Sequence, residues 1–316
     1  MTSSPDAQQP TRRPALYWAS GVCAAALVLI PGWMLIGNPA VLRGHPLLPA
    51  ILVTAAVVGL LWGVLLWRRR HSAARRSPAR SVGAWAARVA VLALVAALAW
   101  LNPFAYQASG AGLSAGISLS ESPTALTMKP AGAAATRGLV FIPGARVEAR
   151  AYADILRPAA EAGVLVVILK TPLNLSLLDG NQARGAMVEH PGIATWAVGG
   201  HSLGGVSASS FALENQDVTG LLLYASYPLD SLRDRRDLQV LSVSGSEDGL
   251  STPAKIDASR ELLPLNATFV EVRGGNHAFF GDYGAQPGDG EPSVSRDDAR
   301  KQIGEATAAF LEQLKG

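Results

Sequence analysis

Three long apolar stretches near the start of the chain limit what its first third can fold into. They are Ala15–Gly37, residues 47–67 and residues 82–101; the first two carry no charged residue and the third carries only Arg88. About 20 residues of helix, rising 1.5 Å each, cross the roughly 30 Å hydrocarbon core of a bilayer. We therefore expect residues 1–101 to form a membrane region with three transmembrane helices. Cleavage of the first stretch as a signal peptide is the alternative.

Arginines predict how these helices are oriented. Arg12 and Arg13 precede the first stretch, and residues 68–80 between the second and third carry six more arginines, whereas the first loop carries only Arg43. Positively charged flanks stay in the cytoplasm. Three spans then place everything after residue 101 on the extracytoplasmic side of the cell membrane. Arg88 lies about a turn and a half from the cytoplasmic end of its helix, and we expect it to snorkel to the interface.

Composition changes after the membrane region. Residues 1–101 hold ten Lys and Arg against one acidic residue, whereas residues 102–316 hold 17 against 23. The larger part of the chain therefore lacks the basic balance of a nucleic-acid-binding domain. Cys23 is the only cysteine, which excludes an intrachain disulfide and a cysteine metal cluster. We expect neither a cofactor nor a metal, and the oligomeric state is left open.

The remainder predicts one soluble domain. Residues 102–120 are small and polar and are expected to be a linker, followed by a domain over residues 121–316. Apolar runs without polar alternation, separated by helical patterns, indicate a mostly parallel sheet that is buried on both faces. The predicted strands are residues 125–129, 138–142, 164–169, 194–198, 218–224, 238–244 and 267–272. The predicted helices are residues 148–161, 181–189, 203–214, 253–262 and 296–314.

One short motif follows the fourth of these strands. Gly200-His201-Ser202-Leu203-Gly204 fits the pattern G-x-S-x-G, in which serine occupies a sharp turn between a strand and a helix. The turn exposes the hydroxyl, and glycine is needed two residues to either side because a side chain there would collide with neighbouring backbone. Gly200 and Gly204 are therefore predicted to be the glycines of a nucleophile elbow at Ser202.

An acid and a base follow two later strands. Asp248 comes after strand 238–244, with Glu247 beside it as a competing acid, and His277 comes after strand 267–272. Loops at the carboxyl ends of parallel strands meet at one edge of the sheet. A serine needs a base to become a nucleophile, and the base needs an anion to orient it. Ser202, Asp248 and His277 are the candidate catalytic residues.

These segments resemble the α/β-hydrolases. The residues VFIPGA at 140–145, GGHSLGG at 199–205, GSED at 245–248 and GNH at 275–277 look like the compact α/β-hydrolase fold-5 group, which is related to dienelactone hydrolases. Those enzymes carry cysteine where this chain has Ser202. The resemblance covers about residues 137–314. It implies a doubly wound sheet and an oxyanion hole, formed by the backbone N–H groups of Leu203 and Ala145.

The predicted connection from strand 218–224 to strand 238–244 is too short for a helical cap domain. We therefore expect an uncapped site and a membrane-anchored serine esterase that acts on small or exposed acyl esters. An acyltransferase with the same acyl-enzyme and a non-catalytic, membrane-tethered binding domain are the alternatives. Arg146, beside the oxyanion loop, could bind a substrate carboxylate or face solvent. Asp282 and Asp289 lack the spacing of a calcium loop.

Overall fold

The computed structural model describes residues 15–68, 78–108, 116–132 and 134–314. These residues fall into two units, which are described separately. The first comprises the described residues up to Gly37 and from Pro49 to Leu101. The second comprises Asn38–Leu48 and the described residues from Asn102 onward.

The predicted N-terminal helices are confirmed as helices. The chain begins with α1 (Ala15–Gly37), a short α2 (Pro39–Arg43), α3 (Leu47–Arg68) and α4 (Pro78–Trp100). Three of them, α1, α3 and α4, are long and apolar enough to cross a membrane. The third starts four residues earlier than predicted, at Pro78 rather than residue 82. The arginines at residues 12, 13, 69, 70, 75 and 76, on which the orientation argument depends, lie outside the described residues.

Arg88 makes hydrogen bonds within the first unit that the sequence did not predict. Its Nε and Nη2 atoms donate hydrogen bonds to the hydroxyl of Ser20 at 3.1 and 2.8 Å, and Nη1 donates to the carbonyl of Ala84 at 2.7 Å. Its guanidinium also lies 5.6 Å from the ring centroid of Trp62. Because Ser20 belongs to α1 and Trp62 to α3, Arg88 joins the three helices of the first unit through polar contacts.

The second unit is built on an eight-stranded sheet, and the mostly parallel arrangement agrees with the sequence. Its strands are β1 (Ile117–Glu121), β2 (Ala125–Pro130), β3 (Arg137–Ile142), β4 (Leu165–Leu169), β5 (Thr195–His201), β6 (Val218–Tyr224), β7 (Gln239–Gly245) and β8 (Thr268–Val272). Their order is β1-β2-β4-β3-β5-β6-β7-β8. β1 pairs antiparallel with β2, and β2 pairs antiparallel with β4. The six strands β3 to β8 run parallel to one another. The doubly wound, mostly parallel sheet is therefore confirmed.

Helices cover this sheet on both faces. They are α5 (Ala153–Glu161), α6 (Gln182–Val188), α7 (Leu203–Glu214), α8 (Pro253–Ser259) and α9 (Arg296–Gln313). Neighbouring residues of β3 enter different apolar clusters: Leu139 and Phe141 belong to one, Val140 and Ile142 to the other. Because side chains alternate along a strand, the clusters lie on opposite faces of the sheet. This explains why the predicted strands read as continuous apolar runs.

Part of the segment expected as a linker is built into the domain. Phe104 pairs in parallel with Val147, and the Gln107 N–H donates to the carbonyl of Asp282 at 2.8 Å. Residues 117–121 form β1 at the edge of the sheet, paired with β2. The composition of residues 102–120, which is small and polar, did not predict these contacts, because they are made largely by backbone groups.

The carboxyl ends of the parallel strands form one edge of the sheet, where β5, β7 and β8 run into the motifs that contain Ser202, Asp248 and His277. Residues 225–238, which connect β6 to β7, contain no helix. The domain therefore lacks a cap at this connection, as its length predicted.

Candidate active site

Ser202 is the single residue between the end of β5 and the start of α7. Its backbone has φ 52° and ψ −123°, a region that residues other than glycine rarely adopt and that persists only where the surroundings fix it. The Ser202 N–H donates to the carbonyl of Tyr224 at 3.0 Å, and the Ser202 carbonyl accepts from the hydroxyl of Ser226 at 2.7 Å. The serine thus occupies the strained turn that the G-x-S-x-G pattern predicts.

The two flanking glycines are required by backbone contacts. A Cβ atom on Gly200 would overlap the backbone of Gly204. A Cβ atom on Gly204 would overlap the carbonyl groups of Ile142 and Pro143, which end β3 and begin its following loop. The elbow and the loop after β3 therefore pack backbone against backbone, and no larger residue fits at either position.

Asp248 and His277 are in direct contact. The His277 Nδ1 atom lies 2.8 Å from Oδ2 of Asp248, and both side chains are fully buried. The other oxygen, Oδ1, accepts from the N–H groups of Leu250 and Ser251 at 2.8 and 2.7 Å. Glu247 is exposed to solvent. Of the two candidate acids, Asp248 is therefore the one that contacts the histidine.

The second nitrogen of His277 has no hydrogen-bond partner among the residues that the structure describes. Its Nε2 atom is buried and makes no hydrogen bond to any described residue, including the hydroxyl of Ser202. The His277 ring is nevertheless next to the elbow, with its centroid 4.5 Å from that of His201, the residue before Ser202. Catalytic hydrogen bonds are often long in the absence of substrate and tighten when it binds. The arrangement leaves a buried, oriented imidazole nitrogen that can accept a proton.

Asp289 also supports His277, a role that no sequence pattern indicated. Its two oxygens accept from the N–H groups of His277 and Ala278 at 3.0 and 2.8 Å, where the 3₁₀ turn His277–Phe280 begins. Oδ1 also accepts from the Gly249 N–H at 3.3 Å. Asp289 therefore connects the loop of Asp248 to the loop of His277. In the described residues, no group of three or more His, Cys, Asp or Glu could hold a metal ion.

His201 is fully buried and belongs to a different hydrogen-bond chain. The Tyr152 hydroxyl accepts from the Gly144 N–H at 2.9 Å and lies 2.9 Å from the His201 Nδ1 atom. Since that oxygen is already an acceptor, its proton is assigned to Nδ1, and His201 carries its own proton on Nε2. Burial, reinforced by the charge of His277, holds the pKa of His201 well below its usual range. His201 is therefore neutral and serves as a packing and hydrogen-bonding group.

The two backbone N–H groups that the resemblance assigns to an oxyanion hole are available as donors. Neither the Leu203 N–H nor the Ala145 N–H donates a hydrogen bond within the described part of the chain. Leu203 directly follows the serine, and Ala145 lies in the loop after β3 that packs against Gly204. A Cβ atom on Gly144 would lie 2.8 Å from the Nδ1 atom of His201, which explains the glycine in this loop.

Arg146 takes neither of the two roles considered for it. Its Nη2 and Nε atoms donate to the carbonyl of Asn102 at 3.0 and 3.3 Å, and its guanidinium lies 4.9 Å from the ring centroid of Phe104. The side chain is half-buried, and this burial lowers its pKa. Arg146 thus binds the chain segment that precedes the sheet.

Residues 138–301 match the family model described as "Alpha/beta hydrolase family". The match covers just over half of the chain and runs from β3 into α9. It includes the elbow and the loops of Asp248 and His277. The chain therefore belongs to the alpha/beta hydrolase family and is, by class, a hydrolase.

Two solved structures match part of the chain at low identity. One is a predicted CIB-like hydrolase from Thermoplasma acidophilum, 18% identical, which aligns with 63% of this chain and 100% of its own at a TM-score of 0.47. Another is the esterase domain of a Rhodothermus marinus protein, 15% identical, which aligns with 61% of this chain and 93% of its own at a TM-score of 0.47. Neither says what this chain acts on. No curated protein is significantly similar to the sequence.

Proposed function

We propose that the chain is a membrane-anchored serine hydrolase that cleaves small or exposed carboxylic esters through an acyl-enzyme. One observation carries the proposal. A buried histidine, His277, is bound to Asp248 through one nitrogen, and its other nitrogen has no partner among the described residues. Its ring lies 4.5 Å from that of His201, the residue before Ser202 on the strained elbow. This is the set of groups that activates a serine hydroxyl at neutral pH.

In the proposed reaction, His277 Nε2 takes the proton of the Ser202 hydroxyl as its oxygen attacks the ester carbonyl carbon. The N–H groups of Leu203 and Ala145 donate to the oxyanion of the tetrahedral intermediate. His277 then gives its proton to the leaving alcohol, which leaves the acyl group on Ser202. Water then attacks the acyl group on Ser202 with His277 as the base, and the carboxylic acid is released as Ser202 regains its proton. Asp248 orients the imidazole and stabilises its charged form.

The open connection between β6 and β7 supports the proposed substrate class. Residues 225–238 contain no helix that could cover the elbow from this side. Small acyl groups, or acyl groups exposed on a larger molecule, can therefore reach Ser202 without displacing a lid. Long acyl chains that need a deep enclosed tunnel fit this architecture less well.

The serine assignment is tested on the full-length protein in detergent. A fluorophosphonate probe is expected to label the wild type and to leave Ser202→Ala unlabelled. Short-chain p-nitrophenyl esters are expected to be hydrolysed by the wild type only. An unlabelled wild type, or equal labelling of Ser202→Ala, contradicts the proposal. Acyl transfer to added alcohols in preference to water would identify an acyltransferase.

Contacts between Asn38 and residues 102–103 support a topology in which the segments that follow α1 and α4 lie on the same side of the membrane. Asn38 directly follows α1, and its Nδ2 atom donates to Oδ1 of Asn102 and to the carbonyl of Pro103, each at 2.8 Å. Asn102 lies just after α4. If all three long helices span the bilayer, α1 and α4 must end on the same side, as these contacts require. Together with the arginine distribution, this favours an extracytoplasmic hydrolase domain.

Protease added to intact cells is therefore expected to digest the domain without permeabilisation. A cytoplasmic protein serves as the control for intact membranes. Digestion that begins only after permeabilisation contradicts the proposed orientation and leaves the serine hydrolase assignment untouched.

A further inference from the structure

Arg146 has an unusual backbone conformation directly beside the candidate oxyanion donor. It follows Ala145 and has φ 64°, in the left-handed region that residues other than glycine seldom occupy. Such conformations persist where surrounding contacts determine them, and they cluster at functional sites. The contacts that hold Arg146 therefore bear on how the loop presents Ala145.

Both backbone groups and the side chain of Arg146 are held. Its N–H donates to the carbonyl of Asn174 at 2.8 Å, and its carbonyl accepts from the N–H of Phe104 at 2.6 Å. Its guanidinium binds the carbonyl of Asn102 and lies over the ring of Phe104. The bond to Asn174 holds the peptide that joins Ala145 to Arg146. The peptide that contains the Ala145 N–H is held by its own carbonyl, that of Gly144, which accepts from the Val147 N–H at 3.1 Å and closes a turn around Ala145 and Arg146.

The segment that holds Arg146 is itself anchored. Glu148, only 2% exposed, accepts from the Tyr106 N–H at 2.7 Å, and its own N–H donates to the carbonyl of Phe104 at 3.0 Å. Arg43 lies 3.5 Å from the Glu148 carboxylate. Asn38 binds Asn102 and Pro103, as described above. Residues 38–43 and 102–106 thus form one clamp around residues 146–148.

We propose that Arg146 is a positioning residue for the oxyanion donor Ala145, and that the clamp formed by residues 38–43 and 102–106 holds it in place. This inference rests on the proposed function. It makes the chain that follows α1 and α4 a working part of the active site, although it lies outside the family match and far in sequence from Ser202.

The test compares Arg146→Ala, Arg146→Lys and the control Arg236→Ala in the full-length protein. Arg236 is an exposed arginine beside β7 at the amino end of that strand, so its truncation repeats the chemical change away from the site. Misplacing one oxyanion donor is expected to lower kcat of Arg146→Ala about 10- to 100-fold, with KM within about 3-fold. Fluorophosphonate labelling of Ser202 should slow in parallel. Arg146→Lys, which can still reach Asn102 with one ammonium group, should recover part of kcat.

Asn38→Ala tests the clamp at a position far from the reacting atoms. It also keeps the inference testable if Arg146→Ala fails to fold. It should lower kcat by about 3- to 10-fold, again with little change in KM. The inference is overturned if kcat of the Arg146 variants and of Asn38→Ala stays within about 2-fold of that of Arg236→Ala. A rise in KM alone also overturns it, because Arg146 would then be a substrate-binding residue. In either case a labelled wild type leaves the proposed function standing. An unlabelled wild type contradicts the proposed function itself.

Discussion

The Nδ1 atom of His277 lies 2.8 Å from Oδ2 of Asp248, and neither side chain is exposed to solvent. The two residues are 29 positions apart and follow different strands, β7 and β8, which are neighbours in the sheet. Asp248 also accepts two backbone N–H groups, so its carboxylate is fixed independently of the histidine. This contact sets the orientation of the imidazole, whose other nitrogen has no partner in the part of the chain that the structure describes.

Asp248→Asn is expected to lower kcat by about 10³- to 10⁴-fold. An amide in place of the carboxylate can donate to Nδ1, which favours the wrong tautomer of His277 and removes the anion that stabilises its charged form. Ester hydrolysis by the full-length variant measures the effect. Glu247→Gln is the matched control, because Glu247 is adjacent and exposed, and its kcat should stay within about 2-fold of wild type. A larger loss at Glu247 than at Asp248 would reverse the assignment of the acid.

Asp289→Ala is expected to lower kcat by about 10-fold or more without a comparable change in KM. Removing its carboxylate leaves the N–H groups of His277 and Ala278 without their acceptor, so the turn that carries the imidazole loosens. Asp289→Asn keeps one acceptor oxygen and should lose less activity. Asp297→Asn, at an exposed position of α9, is the control. Full activity of Asp289→Ala would show that His277 is held adequately by Asp248 alone.

Much of the fold could be predicted because its signals are local. Continuous apolar runs mark strands that are buried on both faces, and the three long apolar stretches mark helices α1, α3 and α4. The elbow is encoded in five consecutive residues, Gly200 to Gly204. Because the strands are parallel, loops at their carboxyl ends meet at one edge of the sheet, and this is why Ser202, Asp248 and His277 could be chosen together as candidates.

The contacts that the sequence did not predict join segments that are distant along the chain. Arg88 binds a hydroxyl 68 positions away, and Arg146 binds a backbone carbonyl 44 positions away. Asp289 acts on the backbone of His277, which carries no residue-specific signal. Backbone acceptors and long-range partners leave no pattern in composition or spacing. The role of residues 102–106 could therefore be found only in the folded chain.

Gly204→Ala is expected to destabilise the hydrolase domain by about 3 kcal/mol or more, because the added methyl group meets the backbone carbonyl of Ile142 rather than a side chain that could move. Gly185→Ala is the control. Gly185 lies in α6 with open space around its Cβ position, so alanine there should stabilise by about 0.5–1 kcal/mol. Urea unfolding followed by fluorescence measures both, since Trp196 is the only tryptophan after residue 101. Equal stabilities would show that the elbow can open without cost.

His201 should make the domain less stable as the pH falls below about 6.5. The unfolded histidine titrates near that value, whereas burial and the charge of His277 hold the pKa of the folded residue well below it. Below pH 6.5 the unfolded chain therefore binds a proton that the folded chain does not. The contribution of His201 is fully present above this pH and is lost as the pH falls toward the folded pKa. Between about pH 7.5 and 5.5 the resulting loss in the free energy of unfolding is about 1 kcal/mol.

His201→Gln removes this titration. The difference in unfolding free energy between about pH 7.5 and 5.5 should therefore shrink by about 1 kcal/mol relative to wild type. Tyr152→Phe is the companion variant, since it removes the hydroxyl beside Nδ1 but leaves a buried histidine. It should lower stability at both pH values by about 1–3 kcal/mol and keep most of the pH dependence. An unchanged pH dependence in His201→Gln would mean that the folded histidine can be protonated, with the added proton on Nδ1 and the Tyr152 hydroxyl turned to accept it.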